Sequence, residues 1–160
     1  TFAETIELIF KGIGGLIPLA LLMMLAFAIG TVCRELGTGI YTAELSKQWL
    51  SPNFVPVIIF LVACFIAFAT GTSWGTFAIM LPIGIPMAQA LDANLYLTIA
   101  AALGGGVFGD HCSPISDTTI IASMASASDH IDHVKTQLPY ALTAGAIAAI
   151  LYLILGILMH

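Results

Sequence analysis

The sequence predicts an all-α membrane protein: a polytopic bundle of transmembrane helices, two of them discontinuous, in the manner of one inverted repeat of a secondary transporter. Three observations carry this. Of 160 residues, 59% are hydrophobic and 8% charged, with a mean hydropathy of +1.05; soluble domains carry about 25% charged residues, so the chain lacks polar surface to face water all round. Several apolar stretches approach the length needed to cross roughly 30 Å of hydrocarbon. Two polar, helix-breaking runs interrupt such stretches: Thr70-Gly-Thr-Ser-Trp-Gly-Thr76, and Gly104 to Thr119 with Asp110, Ser113, Pro114, Ser116, Asp117 and Thr118. Paired interruptions of this kind point to the midplane site of a carrier.

Taken in order, Thr1 to Lys11 reads as a short amphipathic surface helix or the tail of a preceding span, with Phe2, Ile6, Ile9 and Phe10 apolar against Glu4 and Glu7. Gly15 to Cys33 is a full span, with Pro18 tolerated in its first turn and Arg34 and Glu35 at the membrane edge. Gly37 to Asn53, with Glu44, Lys47, Trp49 and Pro52, reads as an extramembrane loop. Phe54 to Ala69 and Phe77 to Leu91 are short apolar helices on either side of the first break. They form either a re-entrant hairpin or one broken crossing. Asp92-Ala-Asn94 is a turn. Leu95 to Phe108, rich in Ala and Gly, suits close helix packing. Gly109 to Pro114 breaks it, and a helix resumes over Ile115 to Ala127, capped by Ser116 or Asp117. Ser128 to Gln137 is a polar loop, and Leu138 to Met159 the last span. The opening Thr1-Phe-Ala-Glu, with no Met or basic n-region, suggests an excerpt of a longer protein. The expectation is one transmembrane domain over 1–160, half of a transporter whose other half is its partner.

Ionisable groups at membrane depth are expensive and mark ion or proton paths. A hard cation wants oxygen ligands, and helix breaks supply them by freeing carbonyls and exposing half-helix ends. Thr70, Thr72, Ser73 and Thr76 bring hydroxyls to the first break; Ser113, Ser116, Thr118 and Thr119 bring them to the second, beside Asp110 and Asp117. A carboxylate in low dielectric holds its proton more tightly, and a nearby cation loosens it. One aspartate thus trades a sodium ion for a proton, which alone gives antiport. Asp117, Ser116, Ser113, Thr72 and Ser73 are the expected sodium ligands. The plainer readings are an N-cap for Asp117, a loop-facing Asp110, and hydroxyls bonded back to helix carbonyls.

Other chemistries fit less well. The net charge of −5 has no basic cluster, which excludes nucleic acid as a partner. Cys33, Cys64 and Cys112 form no CxxC pair and read as small apolar residues. Asp110-His-Cys112 with Asp129-His-Ile-Asp-His133 holds transition-metal ligand types, but the spacing matches no closed zinc pattern, so no metal centre is assigned. An intramembrane aspartyl protease would need glycine where Val107 stands. The chain is not expected to be an enzyme, and no cofactor is expected beyond transported sodium ions and protons.

The run Gly109-Asp-His-Cys-Ser-Pro-Ile-Ser-Asp-Thr-Thr-Ile-Ile-Ala-Ser123 closely resembles the signature of the NhaC-type sodium/proton antiporter family, within the larger ion transporter superfamily. Gly71 to Thr76 with Pro82, Ala28 to Gly39, and Asp129 to Tyr140 also resemble that family. The resemblance implies a multi-pass carrier of the bacterial-type inner membrane with inverted repeats, this chain being its C-terminal half, and a homodimer. It implies sodium/proton exchange, with Asp110, Ser113, Ser116, Asp117 and Thr118 lining the ion site beside Thr72, Ser73 and Thr76. The alternative is a sodium- or proton-coupled carrier of an organic anion such as malate or lactate, or of an amino acid. A non-transporting membrane subunit is the reading from outside the transporter class.

Overall fold

The computed structural model describes residues 2–46 and 49–159, with a few positions in the first two helices, Arg34 among them, described by backbone alone. The expectations for Lys47, for His160 and for the Arg34 side chain fall outside these residues. The described chain is built of helices: α1 (Phe2–Glu35), α2 (Thr38–Ser46), a 3₁₀ turn (Pro52–Phe54), α3 (Val55–Thr70), α4 (Ser73–Leu91), α5 (Leu95–Cys112), α6 (Asp117–Ala125) and α7 (His130–Leu158). Among the described residues, Pro52–Thr70, Ser73–Leu91 and His130–Leu158 are long and apolar enough to cross a membrane. Large apolar side chains such as Phe10, Phe65, Tyr140 and Leu151 face outward. Soluble proteins rarely expose apolar surface on this scale.

The centre is the pairing of α3 with α5, which share the most extensive contact in the fold. A Cβ built on Gly105 would stand 2.4 Å from the Phe60 carbonyl oxygen, and one on Gly109 2.2 Å from that of Cys64. Only glycine permits such an approach, and Ala63 and Ala67 meet the same face. Because Phe60 pairs with Gly105 and Cys64 with Gly109, the two helices are parallel and in constant register. Helix α4 runs back against both: Gly84 packs beside Ile59 and Thr98, and Gly106 beside Phe77. Hence α3 and α4 form a hairpin about the first break. Helix α7 runs antiparallel to α5, with Gly145 on Phe108, Gly104 under Tyr152, and the Tyr152 hydroxyl donating to the Ala100 carbonyl at 2.8 Å.

Outside the second break, four boundaries differ from the sequence reading. The surface helix and the first span are one helix, α1, running through position 18. Gly12 and Gly14 cost helix propensity, about 1 kcal/mol each, but provide no cap, and an apolar setting penalises broken backbone bonds. Within the expected loop, Thr38–Ser46 is helical. Its small residues explain this: Ala43 is fully buried, and Gly39 seats on Pro86 of α4 as Gly30 of α1 seats on Pro82. Helix α4 begins at Ser73, four residues earlier than expected. Finally, the expected loop over Ser128–Gln137 is the start of α7, capped by Asp129, whose Oδ1 accepts from the amides of Ile131 (2.9 Å) and Asp132 (3.1 Å).

Candidate functional site

The first break is two residues long. Gly71 adopts a left-handed conformation (φ 68°) that closes α3, its amide bonding to the Ala67 carbonyl at 2.8 Å. Thr72 is extended and caps α4, its hydroxyl accepting from the Gly75 amide at 3.5 Å. Thr70 donates to the Ile66 carbonyl at 2.8 Å and the buried Thr76 to the Thr72 carbonyl at 2.9 Å. Those two hydroxyls are engaged with their own helices. Ser73 is half-buried, and Trp74 packs edge-on to Phe77.

The second break is shorter than the sequence suggests. Gly109 and Asp110 lie inside α5, which continues to Cys112 because its glycine face is held on α3; only Ser113–Ser116 is non-helical. Ser113 and Ser116 are fully buried, and Asp110 is 2% exposed. Ser116 caps α6, and its hydroxyl also donates to Asp110 Oδ1 at 2.7 Å. Thr118 Oγ1 lies 2.7 Å from Ser116 Oγ and donates to Asp110 Oδ2 at 3.3 Å. One carboxylate therefore forms a closed triangle with two hydroxyls six and eight residues further along the chain. Among the described residues, no Lys or Arg pairs with Asp110; the exposed Lys135–Asp132 pair lies elsewhere, on α7. Thr119 Oγ1 is buried with no hydrogen-bond partner. Asp117 is exposed on the first turn of α6.

The two breaks meet. A Cβ on Gly71 would lie 2.7 Å from the carbonyl oxygen of Ile115. The parallel register of α3 and α5, carried forward past their ends, delivers one break against the other. The structure thus gathers Asp110, Ser113, Ser116, Thr118 and Thr119 at one break, with the backbone of Gly71 and Thr72 beside them. It leaves Thr70 and Asp117 exposed, and Thr118, although bonded to Asp110, is exposed as well.

Two residues of the expected 128–137 loop hold the second break from outside. The His130 ring lies with Nε2 2.7 Å from the Pro114 carbonyl and Nδ1 3.2 Å from Ser123 Oγ. Gln137 Nε2 donates to the His111 carbonyl at 2.9 Å. The signal for this helix start was Asp129 followed three residues on by Asp132, an N-terminal capping pattern. Among the described residues, no three His, Cys, Asp or Glu side chains converge on a common point. Cys33, Cys64 and Cys112 are free thiols.

Residues 1–157 match the model of the Na+/H+ antiporter family. The chain belongs to that family. It is 44% identical to an uncharacterized protein of Haemophilus influenzae over 84% of this chain and 26% of the relative. It is 34% identical to the malate-2H(+)/Na(+)-lactate antiporter of Bacillus subtilis, over 68% of this chain and 23% of the relative. It is 31% identical to the Na(+)/H(+) antiporter NhaC of Alkalihalophilus pseudofirmus, over 67% of this chain and 23% of the relative. This member of the antiporter family therefore spans about a quarter of the length of these relatives. No solved structure matches it significantly. Its family is one of membrane transporters, and its long apolar helices make it a membrane protein.

Proposed function

We propose that the protein containing this chain exchanges sodium ions for protons, and that Asp110 is the carboxylate at which they compete. The observation that carries this is the burial of Asp110 among hydroxyls with no described cationic side chain beside it. A buried carboxylate is costly unless it is protonated or faces a cation. A proton or an alkali ion each meets that need, and the two exclude each other at a single carboxylate. Ser116 and Thr118 add hydroxyl oxygens to the carboxylate, and Ser113 and Thr119 stand in the same segment. Thr72 and Ser73 come from the facing break, at the N-terminus of α4. In this reading Asp117 is the exposed acid at the mouth of the site, a second place for the incoming cation. In this reading the chain is a C-terminal portion of a bacterial-type inner-membrane carrier of inverted repeats, completed by the remainder of that protein and assembled as a homodimer.

The test is proton release from vesicles carrying the full-length protein on a sodium pulse. Wild type releases protons without any organic solute, and Asp110→Asn does not; undiminished release by Asp110→Asn sinks the assignment. A second reading, coupled transport of an organic anion, is favoured by the similarity to the B. subtilis malate/lactate antiporter. It predicts silence until malate or lactate is added.

A further inference from the structure

We infer that His130 is a positioning residue for the Asp110 site: it fixes the Ser113–Ser116 break from the first turn of α7, and through it the hydroxyls aimed at the carboxylate. A helix end leaves its last carbonyls without partners. At the end of α5, Ser113 closes one such bond, its amide lying 3.0 Å from the Asp110 carbonyl. Pro114 follows with no N–H to offer. Helix α7 takes two further carbonyls here, that of His111 at the end of α5 through Gln137 and that of Pro114 in the break through His130. A carbonyl only accepts, so His130 Nε2 carries a proton toward Pro114. On its other side the ring is held by Ser123, whose hydroxyl also lies 2.8 Å from the Ile120 carbonyl. One ring thus ties together the break, α6 and α7.

The consequence for the site follows from distance. Pro114 is two residues from Ser116, whose hydroxyl lies 2.7 Å from Asp110. Hydrogen bonds lengthened much beyond their usual range weaken steeply. A break no longer anchored at Pro114 presents Ser116 and Thr118 to Asp110 less well, and the loss appears as weaker cation binding. Cys112, 5% exposed and two residues before Pro114, reports the same loosening independently of transport.

The transport arm of the test rests on the reading of Asp110 as the exchange carboxylate; the thiol arm does not. In the full-length protein, His130→Ala is expected to raise the half-saturating sodium concentration for proton release about tenfold, and to speed alkylation of Cys112 measured peptide by peptide. His130→Gln, whose amide reaches the Nε2 position and donates to Pro114, brings both back to within about threefold of wild type. His130→Asn, too short to reach, does not. Should the alanine variant fail to fold, the Gln and Asn pair decides alone. Wild-type sodium dependence and Cys112 protection in His130→Ala overturn the inference. So does equal impairment in the Gln and Asn variants, which marks a merely structural residue. If wild type itself shows no sodium-driven proton release, the exchange reading fails, while Cys112 protection across the variants still decides the tether.

Discussion

At the α3–α4 turn the hydroxyls of Thr70 and Thr76 donate to backbone carbonyls one turn behind them, whereas at the α5–α6 break those of Ser116 and Thr118 converge on the carboxylate of Asp110. Both segments carry serine and threonine hydroxyls, so the hydroxyl-bearing residue types do not explain the difference. Backbone geometry does. Gly71, left-handed, reverses the chain within two residues and closes its own helix. The second break keeps Ser113 and Ser116 extended (ψ 130° and 135°) and includes Pro114, which supplies no amide. Hydroxyls there are not captured by a preceding turn and are free to meet a side chain. The first break contributes shape, and the second contributes chemistry.

Reversing that division is the strongest test of it. Asp110→Asn keeps the side-chain size but removes the charge and exchanges one of the two acceptor oxygens for an NH2 donor, and sodium-driven proton release is expected to fall to the background of empty vesicles. Asp117→Asn, on an exposed helix start where a carboxylate is worth about 0.3–1 kcal/mol, is expected to keep measurable exchange. If Asp117→Asn silences exchange and Asp110→Asn does not, the exposed acid is the exchanging one and the comparison inverts.

The shape contribution of the first break is tested next. Gly71→Ala places a Cβ in left-handed backbone, costing about 1–2 kcal/mol, and sets it 2.7 Å from the Ile115 carbonyl. Thermal unfolding of the full-length protein in detergent should show that loss, and exchange should weaken because Ile115 adjoins Ser116. Gly109→Ala presses instead on the Cys64 carbonyl at 2.2 Å, an overpacking of about 1–3 kcal/mol. Unchanged melting in both variants would falsify the close α3–α5 and break-to-break contacts.

Much of this was legible in the sequence, and the exceptions share a cause. The apolar helices from Val55 to Leu91, the Asp92–Asn94 turn and the Ser116 cap follow from hydropathy and capping residues. The misplaced boundaries are those where polarity or glycine was taken to end a helix. Gly109 and Asp110 looked like a break, yet the glycine serves packing on α3 and the aspartate is carried within α5. Ser128 to Gln137 looked like solvated loop, yet Asp129 caps a helix whose His130 and Gln137 face the end of α5. Thr38 to Ser46 is too weakly patterned to show that Gly39 and Ala43 seat it on α4. That Asp110 is buried and Asp117 exposed depends on where α5 ends, and a shift of a few residues in that boundary exchanges their environments. The meeting of the breaks depends on the parallel register of α3 and α5, a long-range pairing that no local pattern encodes.

A finer contrast sets single hydroxyls against each other. Ser116→Ala removes a buried hydrogen bond to a carboxylate, worth about 1.5–3 kcal/mol. That corresponds to roughly a tenfold to hundredfold rise in half-saturating sodium. Thr76→Val is equally buried and keeps its volume, but its hydroxyl serves only the Thr72 carbonyl. Sodium titration of proton release should place it within about threefold of wild type, since an internal backbone-directed bond nets about 1 kcal/mol or less. A Thr76→Val effect as large as that of Ser116→Ala would move the first break into the ligand set.

The smallest effect belongs to Thr70. Its hydroxyl is exposed and returns to the Ile66 carbonyl at 2.8 Å, a bond that competes with helix geometry rather than reinforcing it. Replacing it with alanine removes that competition and improves helix propensity by up to about 0.7 kcal/mol. Thr70→Ala is therefore expected to leave the sodium titration unchanged and the melting temperature level or slightly raised. The same two measurements separate Thr70 from Thr72, one residue beyond Gly71. Thr72→Ala removes a helix cap, costing about 0.5–2 kcal/mol, at a residue beside the second break. A loss of sodium affinity in Thr70→Ala with Thr72→Ala unaffected would mean that the first break presents its outer face to the ion, opposite to the face that meets Ile115.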